Sequence, residues 1–133
     1  MQNRFPVGEW GILQREVTPE VTAGAIGNPG VDVLATPMLV AFAEIASVQI
    51  VNPHLALDEA TVGTHIEMNH LAATPVGMTV TVKSQLALFE GRKFVFKFEA
   101  FDDVEKVAEG LQERYLVNLP RLLQRAREKK PKK

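Results

Sequence analysis

The chain contains no cysteine among its 133 residues. This absence excludes disulfide bonds, thiolate metal ligands and a cysteine nucleophile, and it fits the reducing conditions of a cytoplasm, where we expect the protein to lie. An excess of either charge is also missing, because 15 Lys and Arg residues stand against 16 Asp and Glu residues. A nearly neutral chain has no overall field that would attract it to nucleic acid or to an anionic membrane.

The sequence also lacks a long hydrophobic run. Its most apolar stretch, Pro37 to Val51, is interrupted by Glu44, Ser47 and Gln49. It is also shorter than the roughly 20 residues that a membrane-spanning helix needs. The first residues show no basic segment followed by an apolar one, the pattern typical of a signal peptide. We therefore expect one domain over residues 1–133 and no membrane partner.

Several motifs of enzyme chemistry are missing too. The sequence has no G-x-S-x-G elbow, no Walker-type phosphate loop and no G-x-G-x-x-G fingerprint. It therefore gives no support for a serine hydrolase, a nucleotidase or a dinucleotide enzyme. His54, His65 and Glu67 have no third ligand at a suitable spacing, so we expect no metal site.

One segment has a strong charge bias. Residues 121–133, the basic tail, contain seven Lys and Arg residues against one acid, Glu128. We interpret the tail as a solvated terminal helix; the alternative is a basic surface that meets the phosphates of a cofactor or of a nucleic acid. No aromatic residue lies among these charges, which argues against nucleic-acid binding.

One helix is predicted from Thr36 to about Val51. Thr36 suits the N-cap, Pro37 suits the first helical position, and Asn52-Pro53 ends the helix. The segment has no polar face before Ser47, and a helix that is apolar all round is a buried helix.

Five segments show the two-residue alternation typical of strands. Short connections between the last four imply antiparallel neighbours. An antiparallel sheet curled around the apolar helix would bury most of its circumference, so the sequence predicts an α+β fold. The predicted strands are Glu9–Val17, Thr61–Leu71, Thr79–Phe89, Lys93–Asp102 and Lys106–Asn118, and a terminal helix follows over Leu119–Lys129. The side chains assigned to a common face are Trp10, Ile12 and Gln14; Val80, Val82, Leu86 and Leu88; Phe94, Phe96, Phe98 and Ala100; and Val107, Leu111, Tyr115 and Val117.

Glu44 is the strongest candidate for chemistry. A carboxylate in apolar surroundings loses hydration, and proteins tolerate this loss mainly where the carboxylate has a functional role. The alternative is that Glu44 points to a polar seam or to a buried Arg or Lys on a strand. His70 is the second candidate, because the alternation of its strand turns it toward the helix while His65 and Glu67 face solvent. The alternative for His70 is a structural role in the core, with its hydrogen bonds satisfied by neighbouring groups.

Thr36 has a simple explanation as a helix cap, but free amides at a helix N-terminus also stabilise a developing oxyanion. Thr36 and Glu44 are eight residues apart, which is about 12 Å along one helix. They cannot touch within one chain. If both serve one reaction, they meet across a subunit interface, and the catalytic unit is a dimer.

At these residues the chain resembles the fluoroacetyl-CoA thioesterase branch of the hotdog superfamily, over about residues 7–125. The combination of a threonine, a glutamate and a His-x-Ala-Ala-Thr-Pro run at these separations carries the resemblance. The matching segments are Ala35-Thr36, Glu44, Gly63-Thr64, His70 to Pro75, Gly77 to Val82 and Glu90-Gly91-Arg92.

The resemblance implies a hotdog fold, in which an antiparallel sheet wraps around one long central helix, followed by a C-terminal helix. It implies an acyl-CoA thioesterase that works as a homodimer or as a tetramer of paired dimers, with CoA as part of the substrate and no separate cofactor. It also implies catalytic roles for Thr36, Glu44 and His70. The residues that it places beside the substrate are Gly63, Thr64 and Phe42.

In the implied mechanism Glu44 is the nucleophile, through a mixed anhydride, or the general base for water. His70 orients the attacking water or protonates the departing thiolate. Thr36 donates a hydrogen bond to the Glu44 carboxylate or to the substrate. The segment over residues 28–34 lacks the aromatic gate of the fluoroacetyl-specific enzyme, so we expect another acyl group. The alternatives are a non-catalytic acyl-CoA binding protein and a hotdog enoyl-CoA hydratase; the hydratase needs a histidine soon after Asn28-Pro29, where none follows.

Overall fold

The computed structural model describes residues 4–131, which form one five-stranded sheet and two α-helices. The strand order is β1-β3-β4-β5-β2, and all neighbouring strands are antiparallel. No helix in this part of the chain is long and apolar enough to cross a membrane. The elements are β1 (Trp10–Glu16), α1 (Thr36–Val51), β2 (Glu59–His70), β3 (Thr79–Glu90), β4 (Lys93–Phe101), β5 (Lys106–Asn118) and α2 (Leu119–Arg127).

The core lies between α1 and the inner face of the curved sheet. One cluster surrounds Leu39, Phe42 and Ala46 of the helix, and a second surrounds its C-terminal end, where Phe5 packs edge-on against Phe94 at 4.8 Å. The first strand crosses the helix closely, because a Cβ on Gly11 would overlap the carbonyl oxygen of Ala46. The predicted arrangement of one sheet around one helix is therefore confirmed.

Two details of the predicted helix are wrong. The N-cap is Ala35, which makes no side-chain cap, and Thr36 is the first helical residue. The helix is also not buried on all sides, because Ile45 is 38% exposed and Gln49 is exposed. A single sheet covers only one side of α1, so its other side stays accessible despite its apolar sequence.

A bulge changes the predicted inner face of β3. Val80, Val82 and Leu86 are buried as predicted, but the pairing register with β4 shifts between Leu86 and Leu88. An extra residue in one strand reverses the direction of the side chains that follow. Leu88 is therefore 42% exposed, and its neighbour Phe89 packs against the core instead.

The predicted inner face of β5 is wrong beyond Val107. A register shift beside this buried residue turns the following even-numbered positions inward. Gln112 and Arg114 are buried there, whereas Tyr115 is 40% exposed. Leu111 and Val117 are only partly buried.

The predicted face of β1 is an outer face. Trp10 and Ile12 do lie on one side of the strand, but they are 51% and 57% exposed. The inward residues are Gly11 and Leu13. In β4, by contrast, the predicted face is the inner one: it holds Phe94, Phe96, Phe98 and Ala100, all of which are buried.

Candidate active site

Thr36 and His70 are in direct contact. Thr36 opens α1, and His70 is the last residue of β2. The Oγ1 atom of Thr36 lies 2.7 Å from Nδ1 of His70. A hydroxyl in hydrogen-bond contact with an imidazole is the pairing that activates a hydroxyl nucleophile.

The surroundings of His70 favour its neutral form. Burial lowers the pKa of His70, and a backbone contact with Ala72 acts in the opposite direction. A neutral imidazole can accept a hydrogen bond from the Thr36 hydroxyl at Nδ1, and in that tautomer Nε2 carries the hydrogen. Nε2 is buried and has no hydrogen-bond partner among residues 4–131.

An apolar pocket of about 410 Å³ opens in front of this pair. Its far wall belongs to the segment before α1, and backbone hydrogen bonds hold that wall. The amide of Ala23 donates to Val33 at 2.9 Å, and the amide of Gly24 donates to Val31 at 2.8 Å. None of the described lining residues is Phe, Tyr or Trp. They are Ala23, Asn28, Val31, Val33, Leu34, Thr36, His70, Leu71, Ala72 and Ala73.

Buried Thr74 ties together the two segments that carry Thr36 and His70. Its carbonyl accepts the amide of Leu34 at 2.9 Å, and its hydroxyl donates to Asp102 at 3.0 Å. Burial acts to raise the pKa of Asp102, but hydrogen bonds from the Val104 and Glu105 amides and from Thr74 bring that pKa below its ordinary value. Asp102 is therefore a firm acceptor for the Thr74 hydroxyl.

Glu44 lies beside a second pocket, of about 420 Å³, and pairs with Arg114. Oε2 of Glu44 is 3.3 Å from Nη1 of Arg114, and the Glu44 side chain is 42% exposed against 10% for Arg114. The guanidinium also donates to the Oγ1 and the carbonyl of Thr61, both at 3.0 Å. Glu44 therefore has a buried arginine on a strand as its partner, which is the alternative that the sequence left open.

The sequence did not single out Arg114. Its one available signal is that Gln112 and Arg114 stand at alternate positions of a strand. Burial lowers the pKa of Arg114, while Glu44 acts in the opposite direction. Gln112 accepts a hydrogen bond from Arg114 at 3.4 Å and donates one to the carbonyl of Ala43 at 3.3 Å. Both buried side chains therefore have partners on α1 or beside it.

The residues predicted to lie beside the substrate have different surroundings. A Cβ on Gly63 would lie 2.9 Å from Oε2 of Glu44, so glycine lets this backbone approach the carboxylate. Thr64 lies at the irregularity of β2 and lines the Glu44 pocket. Phe42 is buried in the core and lines neither pocket.

The candidate site is divided within one chain. Thr36 and His70 share one pocket, Glu44 lines the other, and no hydrogen bond among residues 4–131 joins Glu44 to either of them. Eight residues of one helix separate Thr36 from Glu44, which corresponds to about 12 Å. The roles of the three residues stay predictions.

Of the remaining histidines, His65 lines the Glu44 pocket and His54 lines neither pocket. His65 pairs with Glu67 at 2.8 Å on the solvent side, and His54 is exposed in the turn after α1. In the described range no group of three His, Cys, Asp or Glu side chains is placed to hold a metal ion.

Comparisons with known proteins show which family the chain resembles. A family model for the fluoroacetyl-CoA-specific thioesterase matches residues 17–119. The fluoroacetyl-CoA thioesterase of Streptantibioticus cattleyicolor is 37% identical over 100 residues, which cover 75% of this chain and 72% of that protein.

Solved structures give the same result for the fold. A mutant of the fluoroacetyl-CoA enzyme FlK in complex with acetyl-CoA has a TM-score of 0.90 at 32% identity, covering 95% of this chain and 99% of that chain. A hot-dog-like protein from Thermanaerovibrio acidaminovorans has a TM-score of 0.88 at 26% identity, covering 98% and 96%. The predicted hotdog fold is confirmed.

Proposed function

Because the chain belongs to the fluoroacetyl-CoA-specific thioesterase family and is a thioester hydrolase, we propose that it cleaves an acyl-CoA at the Thr36–His70 pair. The observation that carries this assignment is the 2.7 Å contact between Thr36 Oγ1 and His70 Nδ1. It places a hydroxyl and an imidazole at one end of an apolar pocket. The products are a carboxylic acid and free CoA, and CoA enters as part of the substrate.

In the proposed reaction the oxygen of Thr36 attacks the carbonyl carbon of the thioester while its proton passes to Nδ1 of His70. The carbon–sulfur bond then breaks, and the imidazolium returns the proton to the departing thiolate. Water hydrolyses the resulting acyl-threonine ester in a second step. The first amides of α1 lie beside Thr36 and suit the oxyanion that develops in both steps.

Glu44 enters this proposal as a carboxylate supplied by the second subunit. It is too far along α1 from its own Thr36, and its ion pair with Arg114 fixes its position beside Gly63. We assign it the role of general base for the water of the second step. The alternative, in which Glu44 itself attacks the thioester, gives a mixed anhydride.

The geometry of β2 supports a dimer. This 12-residue strand is at one edge of the sheet, and residues 63–67 are exposed. A long, exposed edge strand is a template for pairing with another strand, and a two-fold axis would pair it with its own copy. Antiparallel pairing brings the His70 end of one β2 toward the Glu44 pocket of the other.

The proposed acyl group is not fluoroacetyl. The wall of the Thr36–His70 pocket is formed by small and aliphatic residues of the segment that carries an aromatic gate in the fluoroacetyl-specific enzyme. We propose that the pocket takes an apolar acyl group that fits its volume of about 410 Å³.

The test is thiol release from a panel of acyl-CoAs by the unaltered protein and by three variants. We expect Thr36→Val and His70→Ala to lower kcat/KM by about 10²–10⁴-fold, the usual contribution of general acid–base catalysis. Thr36→Ser retains the hydroxyl and is the matched control, for which we expect most of the activity to remain. Full turnover by Thr36→Val would contradict the assignment.

Single turnover in oxygen-18 water separates the two roles of Glu44. If Glu44 activates water, the acid released in the first turnover contains the label. If Glu44 attacks the thioester and water then attacks its own carboxyl carbon, the first acid carries unlabelled carboxylate oxygen. Unlabelled product together with an inactive Glu44→Gln variant would transfer the nucleophilic role to Glu44.

A further inference from the structure

A cleft with four cationic side chains lies where β5 meets α2. Its volume is about 550 Å³, and its lining includes Arg92, Asn118, Arg121, Arg125 and Lys129. Arg121, Arg125 and Lys129 recur every four residues, so they share one side of α2 and of the turn that follows it. No acidic side chain is among the described lining residues. A concave surface with charges of one sign concentrates ligands of the opposite sign.

The four cations have no carboxylate partner within 4.0 Å in the described range. Arg92 donates to the carbonyl of Leu116 at 3.3 Å, and its charge is one of the causes that lower the pKa of Glu59. The nearby carboxylate of Glu59 is already paired with Arg4. The cationic cleft therefore has charge available for a ligand.

The cleft is held in place by ordered contacts. The side chain of Asn118 caps α2 by accepting the amide of Arg121 at 3.0 Å, and its amide group donates to Asp58 at 3.2 Å. The backbone of Leu119 also donates to Asp58, at 2.8 Å. These contacts fix the start of α2 against the β2 end of the sheet, so the arginines project from a positioned helix.

Two cavities follow one another between α1 and β2, from Glu44 toward this end of the sheet, and we call this stretch the α1–β2 groove. Beyond Glu44, a cavity of about 540 Å³ follows the next turns of α1 past Val48 and Asn52, with Ala60 and Thr61 of β2 on its other side. Glu44 and Val48 lie on one face of α1, and Asn52 continues this line at the C-cap, so the three positions span about 12 Å. The cavity ends at Glu59, which pairs across the sheet with Asn118 of the cationic cleft.

We propose that the cationic cleft binds the phosphate groups of an acyl-CoA whose uncharged pantetheine arm lies along the α1–β2 groove. The proposal rests on the proposed function and adds a site for the nucleotide part of the substrate. From Arg114, which holds Glu44, to Asn118 the strand advances by about 14 Å, a distance that an extended pantetheine arm can span. Guanidinium groups match the pyrophosphate and the 3′-phosphate through paired N–H donors.

The kinetic test compares an acyl-CoA with the same acyl group on pantetheine, which has no phosphate. In the double variant Arg121→Gln/Arg125→Gln, we expect KM for the acyl-CoA to rise on the order of tenfold at unchanged kcat, as for the loss of uniform binding. Kinetics with the pantetheine thioester stay unchanged. Arg127→Gln is the matched control, because Arg127 is on the same helix but outside the cleft.

An equal rise of KM for both thioesters, or no rise for either, would overturn the proposal. So would a matching effect of Arg127→Gln, since it would show an effect of net charge. If the double variant loses its circular dichroism signal, Arg92→Gln serves instead, because that residue is exposed in the turn between β3 and β4.

Calorimetry with adenosine 3′,5′-bisphosphate tests the cleft without catalysis. We expect saturable binding by the unaltered protein, about tenfold weaker binding by the double variant, and a steep dependence on salt. Inorganic phosphate should compete only weakly. Equal affinities of the two proteins for the bisphosphate would contradict a phosphate site in the cleft. Binding of a DNA oligonucleotide that the bisphosphate does not displace would contradict it too. A protein that binds the bisphosphate but cleaves no thioester would refute the proposed function alone.

Discussion

At the scale of single residues, the imidazole of His70 couples the proposed chemistry to folding. In the unfolded chain a histidine titrates near its ordinary pKa of 6.5, whereas burial lowers the pKa of His70 in the folded protein. Below about pH 6.5 the unfolded chain therefore binds a proton that the folded chain does not. The free energy of unfolding decreases as the pH falls through this window, and the loss is complete below the folded pKa.

We therefore expect His70→Gln to flatten the acid side of the stability profile. Urea unfolding between pH 8 and pH 5 measures the slope for the unaltered protein and for the variant. The unaltered protein should lose more stability per pH unit below about pH 6.5. Its kcat/KM should also persist below that pH, because the base stays neutral. Parallel stability profiles for the two proteins would contradict this prediction.

The predictability of the site differs from residue to residue. Glu44 could be identified because it interrupts an apolar helix, and His70 because its strand turns it inward. Arg114 could not be identified from the sequence. The outer face of β5 carries Leu111, Tyr115 and Val117, and these apolar residues are typical of a face that packs in the core. The partner of Glu44 is therefore visible only once the register of β5 is known.

At the scale of elements, buried Thr74 connects the segment before α1 to the turn between β4 and β5. Thr74→Val keeps the shape of the side chain but leaves Asp102 without its hydroxyl donor. We expect a loss of about 0.5–1.5 kcal/mol in unfolding free energy, the usual net contribution of one hydrogen bond, because Asp102 is only partly buried and keeps the amides of Val104 and Glu105 as donors. We also expect a lower kcat, because the same segments position Thr36 and His70.

Thr81→Val is the matched control for this change. Its hydroxyl accepts a hydrogen bond from Gln14 in an exposed pair of β1 and β3, so its removal should alter stability by less than about 0.5 kcal/mol. Denaturant unfolding and thiol release measure both variants. Equal losses for the two variants would remove the special role of Thr74.

The boundaries of the elements were more predictable than their faces. Proline, glycine and charged residues mark where strands and helices end, and the observed bounds follow those signals. The irregularities after Leu86 and beside Val107 leave no comparable mark, since each shifts one pairing step without a characteristic residue. Each shift then reverses the faces of the residues beyond it.

At the scale of the whole molecule, the separation of Thr36 from Glu44 predicts complementation between subunits. Thr36→Val and Glu44→Gln chains should each be inactive as homodimers. After they are mixed in equal amounts and reassembled, half of the dimers are hybrids, and each hybrid has one intact site. We expect about a quarter of the unaltered activity to return, as random two-fold pairing requires.

Sedimentation of the unaltered chain and of Ile66→Lys provides the structural control. Ile66 is 39% exposed on the edge strand β2, and a lysine there discourages pairing of edges. The variant should sediment as a monomer and lose thiol release. If the mixture of inactive chains regains nothing while it forms hybrid dimers, the three residues do not meet across an interface.

The wall of the Thr36–His70 pocket is held by main-chain hydrogen bonds, with the side chains of Ala23, Val31 and Val33 directed at the space between. Side chains that do not hold their own segment in place can change size without unfolding it. The same scaffold and the same reacting groups can therefore be refitted to acyl groups of other lengths by substitutions in this wall alone. Divergence of substrate preference among such enzymes is expected to concentrate in the segment before the helix, while the sheet stays as it is.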